Sequence, residues 1–119
     1  MDERLKKALD LSNYMVTFNN QKRVIKEKYR ESSIFYYNGS QFTLTKDLIT
    51  FVSLLVDKDN VNNIILTDDN EIPTEIEKLD EFLIDILDAY FNAVNAYYAE
   101  YQKLLKNRST SKLAEYEEE

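Results

Sequence analysis

Gly39 and Pro73 are the only glycine and the only proline in this 119-residue chain. Glycine opens left-handed backbone conformations, and proline interrupts helices and strand ladders. A chain with one of each has few places to turn sharply or stop. Long regular elements are therefore expected in place of extended irregular loops. The length fits a single domain with one core and little stability to spare. Apolar residues make up 44%, with nine tyrosines and six phenylalanines, too apolar and aromatic for a wholly disordered chain.

The periodicity predicts one long helix over residues 2–31. Ala8, Leu11, Met15, Phe18, Lys22, Ile25 and Tyr29 recur at alternating steps of three and four, the seam of a helix packed lengthwise on another. Lys22 is the polar exception, although its methylene stem can cover apolar surface. Residues 33–45 change period and read as a β-hairpin. Ile34 to Tyr37 are β-prone, Phe42 and Leu44 alternate with Thr43 and Thr45, and Asn38-Gly39 supplies the positive φ angles of a tight turn. Thr45 can cap a helix over 46–57, whose apolar residues lie almost all round and predict a central, covered position.

Residues 63–72 are expected to hold short strands: 64–66, and a return beginning at Glu71 and Ile72, with Pro73 ending the pairing. Thr74-Glu75-Ile76-Glu77 reads as a capping box opening the longest helix, 75–107. Its seam is Ile76, Leu79, Leu83, Ile86, Tyr90, Ala93 and Tyr97. Leu87, Val94 and Tyr101 widen it, and Leu104 continues it, so the stripe is broad enough for two packing surfaces. Residues 109–119 read as a polar tail. The fold class expected is α+β, mainly helical: two long antiparallel helices flanking a small β-hairpin/helix head, in a single domain over 1–108.

Charge supplies the orientation. Lys22, Arg23, Lys26, Lys28 and Arg30 against Glu27 give residues 22–30 a local net of about +4, and residues 75–88 carry about −5. Antiparallel helices would set these blocks side by side, each also suiting its helix dipole.

Composition removes most chemistry. With no Cys there is no disulfide or thiolate, and with no His the commonest general base and metal ligand is missing. Asp80, Glu81, Asp85 and Asp88 are dense, but the di-iron carboxylate pattern needs Glu-x-x-His, so a solvated helix face is the better reading. A calcium loop beginning at Asp57 would have Asn62 in place of the turn glycine and Asp68 in place of the closing glutamate, so that reading is rejected. Asp68-Asp69-Asn70-Glu71 reads as a turn first and a weak cation site second. One glycine cannot build a P-loop, a dinucleotide fingerprint or a nucleophile elbow. The chain is thus expected to be non-enzymatic, with no catalytic residues, no cofactor and no metal. No apolar run approaches a bilayer span, and the charged start MDERLKKALD has no signal-peptide core, which points to an unanchored cytoplasmic protein.

Several stretches resemble small uncharacterised proteins encoded by contractile-tailed cyanophages and related marine phages: Leu11-Ser12-Asn13-Tyr14, Asn20-Gln21-Lys22, Asn38-Gly39-Ser40-Gln41-Phe42, and Ala99-Glu100-Tyr101 through Arg108-Ser109. The resemblance implies a phage origin, residence in the host cytoplasm or in association with the virion, and a part in particle assembly. It assigns no functional residues. The residues themselves point to protein–protein binding, as an assembly, chaperone-like or accessory structural factor. The aromatic group Tyr97, Tyr98 and Tyr101 would form the contact surface, because Tyr is enriched where proteins meet. The partner would be another protein or a second copy, since a two-helix stalk leaves one side of the broad stripe uncovered. The alternative is a nucleic-acid-associated regulator using Lys22, Arg23, Lys26, Lys28 and Arg30, against which the net charge of −7 weighs.

Overall fold

The computed structural model describes the backbone of residues 2–117 and the side chains of residues 2–107. Seven elements follow in order: α1 (Glu3–Ser32), β1 (Ile34–Tyr37), β2 (Ser40–Thr43), α2 (Lys46–Asp57), β3 (Asn62–Thr67), β4 (Pro73–Lys78) and α3 (Leu79–Glu117). The protein is mainly helical and mixed α+β, with two separate antiparallel two-stranded sheets, β1-β2 and β3-β4. Contacts gather the chain into two compact units, a β-containing unit (Tyr29–Asn95) and a helical unit (Met1–Lys28 with Ala96–Glu119).

In the β-unit, the first hairpin forms where the sequence places it. Asn38 and Gly39 take φ of 48° and 82°, the mirror-image turn whose twist suits two short strands, and Tyr37 pairs with Ser40 across it. Thr45 accepts a hydrogen bond from the Leu48 amide at 3.1 Å and starts α2 as expected. However, α2 is not covered all round. Val52 is fully buried and Leu48, Ile49, Leu55 and Val56 pack on the core, while Phe51 and Leu54 stay about half exposed on its outer side.

The second hairpin differs from expectation. Residues 73–78 are strand rather than the end of a turn and the start of a helix, with Thr67 opposite Pro73 and Ile64 opposite Ile76. Proline is tolerated there because the first residue of a strand need not donate to the ladder. Thr74 does not cap a helix: its hydroxyl shares a 2.6 Å hydrogen bond with the Ser40 hydroxyl, and both residues are buried. The sequence supports both readings locally, since Thr74-Glu75-Ile76-Glu77 also alternates with period two. Burial decides, because the strand turns Thr74 and Ile76 inward and both glutamates outward.

α3 therefore begins at Leu79, whose amide donates to the Val61 carbonyl at 2.7 Å. The helix runs on to Glu117 rather than stopping near 107. Lys112, Leu113, Ala114 and Glu115, within the stretch read as a polar tail, are strong helix formers. The last two residues of that tail lie outside the described residues.

The core of the β-unit is one cluster: Phe42, Leu44, Val52, Leu66, Ile76, Leu79, Phe82 and Ile86. Phe82 sits among three aromatic rings, Phe35, Tyr37 and Phe42, at centroid distances of 5.8, 5.5 and 5.5 Å and all edge-on. That geometry sets ring edges against ring faces and adds about 0.5–1.5 kcal/mol per pair to the burial of each side chain.

Candidate functional site

Among the described residues, no group of three or more acidic side chains is placed to hold a metal. No helix among them is long and apolar enough to cross a membrane. The surfaces that remain are apolar and basic helix faces, and one polar joint.

The joint lies in the β-unit and went unrecognised in the sequence. Asp68 is buried; one carboxylate oxygen accepts from the amides of Asn70 (2.9 Å) and Ile72 (2.8 Å), folding the 68–72 turn about itself. Its other oxygen accepts from the Gln41 amide at 3.2 Å. Asp69 accepts from the Thr43 amide (3.0 Å), the Thr43 hydroxyl (2.7 Å) and the Gln41 side-chain amide (3.1 Å), while its own amide donates to the Gln41 carbonyl at 2.8 Å. The outer edge of β2 is thus covered by a turn instead of a third strand, which satisfies its backbone and blocks edge-to-edge pairing. Burial pulls the Asp69 carboxyl upward, but the bonds from the Thr43 hydroxyl and amide and from Gln41 outweigh it, holding the group below the ordinary aspartate value. The only sequence signal was Asp68-Asp69-Asn70, which names a turn but not a partner 26 to 28 residues away.

In the helical unit the three tyrosines separate. Tyr97 and Tyr101 are half-buried and pack edge-to-face at 6.3 Å, whereas Tyr98 is 65% exposed. The basic residues separate as well. With 3.6 residues per turn, Lys22, Arg23, Lys26 and Arg30 project from one side of α1 and Lys28 from the other. Lys22, Arg23 and Lys26 are exposed in the helical unit, and the Lys22 ammonium lies 5.7 Å from the Phe18 ring centre. Arg30, also exposed, belongs to the β-unit. Lys28 pairs with Glu100 at 3.7 Å within the helical unit. Glu75 and Glu77 are strand residues, so the acidic residues of 75–88 are not one helical block. Beside that pair, Val24, Ile25 and Leu104 with the amides of Asn20, Gln21 and Asn107 line an open groove of about 460 Å³.

The described part of α1 buries one side chain, Phe18. Of its expected seam, Ile25 and Tyr29 are half-buried, whereas Ala8, Leu11 and Met15 are exposed. Leu5 (52%), Leu9 (44%), Val16 (57%) and Val24 (58%) are exposed too. α3 carries a second set of exposed apolar residues, Ile84, Phe91 and Tyr98, spaced by seven, of which Tyr98 alone stands out in the sequence as a candidate contact residue. The seven-residue interval was legible, but the breadth of the apolar stripe concealed that it forms a row of its own. No protein-family model matches the chain, and no curated protein or solved structure does.

Proposed function

We propose that this chain works by binding protein, as an assembly, chaperone-like or accessory structural factor, rather than by catalysis. One observation carries the reading: two long helices keep large apolar side chains in water at helical spacing, Leu5, Leu9, Leu11, Met15 and Val16 on α1 and Ile84, Phe91 and Tyr98 on α3. Each such side chain favours burial by about 1.5–3 kcal/mol. Isolated exposed apolar residues are ordinary; rows of them on regular elements mark contact surfaces. Within the helical unit, α1 and α3 are read as an antiparallel pair. The Lys28–Glu100 bridge and the groove shared by residues 17–25 and 100–107 support that reading. A phage origin and a part in particle assembly belong to the same proposal and rest on the sequence resemblance alone. So does residence in the host cytoplasm or in association with the virion.

Affinity capture with the intact chain, together with light scattering of the purified protein, tests the proposal. Recovery of a stoichiometric partner, or a mass above the monomer, is expected. A monomer that retains nothing ends it. A second reading, nucleic-acid association, is favoured by the exposed row of Lys22, Arg23 and Lys26 on one helix face. It requires binding that weakens steeply with salt and disappears when those residues become Gln. Absence of binding at low salt removes it.

A further inference from the structure

We propose that the partner is a second copy of this chain, joined through α3 packed antiparallel against α3. This rests on the protein-binding reading above and names its occupant.

Along α3, Ile84, Leu87, Phe91, Val94, Tyr98 and Tyr101 recur at alternating steps of three and four, and Leu105 extends the row. This is a second heptad seam, displaced by one residue from the seam of Leu83, Ile86, Tyr90, Ala93 and Tyr97. The two seams differ in burial. Ile86 and Ala93 are closed off from water, whereas Ile84, Phe91 and Tyr98 are 60%, 54% and 65% exposed, with Leu87, Val94, Tyr101 and Leu105 half-buried beside them. A 3–4 repeat held for three heptads fits a helix as its partner, because only another helix presents holes at that interval.

Charge identifies which helix, and in which direction. Asp80, Glu81, Asp85 and Asp88 mark the beginning of α3, residues 89–99 carry no charge, and Lys103 and Lys106 follow. Two such helices side by side in parallel set acid against acid and base against base. Reversed, the acidic end of each meets the basic end of the other, the uncharged middles coincide, and the helix dipoles oppose. The heptad gives the register. Leu87 faces Leu105 of the second copy, Phe91 faces Tyr101 and Val94 faces Tyr98, which sets Asp88 beside Lys106 on one flank of the seam. Glu100 does not disturb this pattern, because it is held by Lys28.

The chain has no cysteine, so introduced cysteines report on orientation directly. Asp88, Asn95 and Gln102 flank the seam and are exposed. In the proposed register Asn95→Cys oxidises to a covalent dimer by itself. Asp88→Cys and Gln102→Cys each fail to do so alone, but link to each other when the two proteins are mixed. Sedimentation of the unmodified chain should show a dimer, and Phe91→Lys should weaken it at least about tenfold with the helix signal retained. Self-linking of both Asp88→Cys and Gln102→Cys would establish a parallel pair and overturn the proposal. A dimer indifferent to Phe91→Lys would place the interface elsewhere and also overturn it. A monomer that still captures a different protein sinks the second-copy assignment and leaves protein binding standing, whereas a monomer that captures nothing removes both.

Discussion

In the β-unit, eight apolar side chains form one cluster closed off from water; in the helical unit, the apolar side chains closed off among the described residues are Phe18 and Leu104. Composition is part of the difference, since five of the six phenylalanines and eight of the nine isoleucines fall in the β-unit. The β-unit assembles from two hairpins, α2 and the start of α3, and its core residues come from four places along the chain. In the helical unit, α1 keeps Leu5, Leu9, Leu11, Met15, Val16 and Val24 exposed to water. The contrast shows where the chain closes a core of its own and where its apolar side chains stay in water.

Mutations at Phe82 and Phe18, a buried phenylalanine from each unit, sharpen this contrast most. Phe82→Ala removes the ring at the centre of three edge-on contacts and is expected to cost about 3–5 kcal/mol, unfolding the β-unit in urea or heat as followed by circular dichroism. Phe18→Ala should cost less, about 1–3 kcal/mol, since Phe18 lies outside the buried cluster that Phe82 helps to close. Hydrogen exchange should then show lost protection confined to α1. Equal losses at both positions would break the distinction between the units.

Smaller effects probe the joints of the β-unit. Gly39→Ala meets no atom within 4 Å, yet its φ of 82° opposes a side chain, so about 1 kcal/mol should be lost from the chemical midpoint. Asp69→Asn weakens the charged acceptor on Thr43 and should cost less than about 1 kcal/mol, since the group is largely exposed and screened. Its pH signature is more telling. Because the folded carboxyl lies below its unfolded value, its contribution is complete above about pH 4 and is lost as pH falls through the folded value. Asp69→Asn should therefore flatten the acid limb of the stability curve. Tyr98→Ala, at the exposed end of the comparison, should change monomer stability by no more than about 0.5 kcal/mol.

How far the sequence could be read follows from how local each determinant is. The first hairpin was legible because Asn38-Gly39 fixes the turn within two residues, and α2 was legible because Thr45 caps it within three. Residues 74–78 were not, because a capping box and an alternating strand can be written with the same letters, and the choice is made by Ser40, 34 residues earlier. The covering of α2 was overestimated, since an apolar face announces what prefers burial and not whether anything arrives to bury it. Of the candidate site residues, Tyr98 is fully presented, while Tyr97 and Tyr101 are partly taken up with each other.

The carboxylates of Asp68 and Asp69 have an effect on folding order. A two-stranded ribbon is marginal in water by itself, and here neither ribbon continues into the other. Because the edge of the first is completed only by the loop of the second, neither can mature until the intervening stretch of chain has closed. Losing the later loop should therefore fray the earlier ribbon, and the two are expected to melt as one event rather than in sequence.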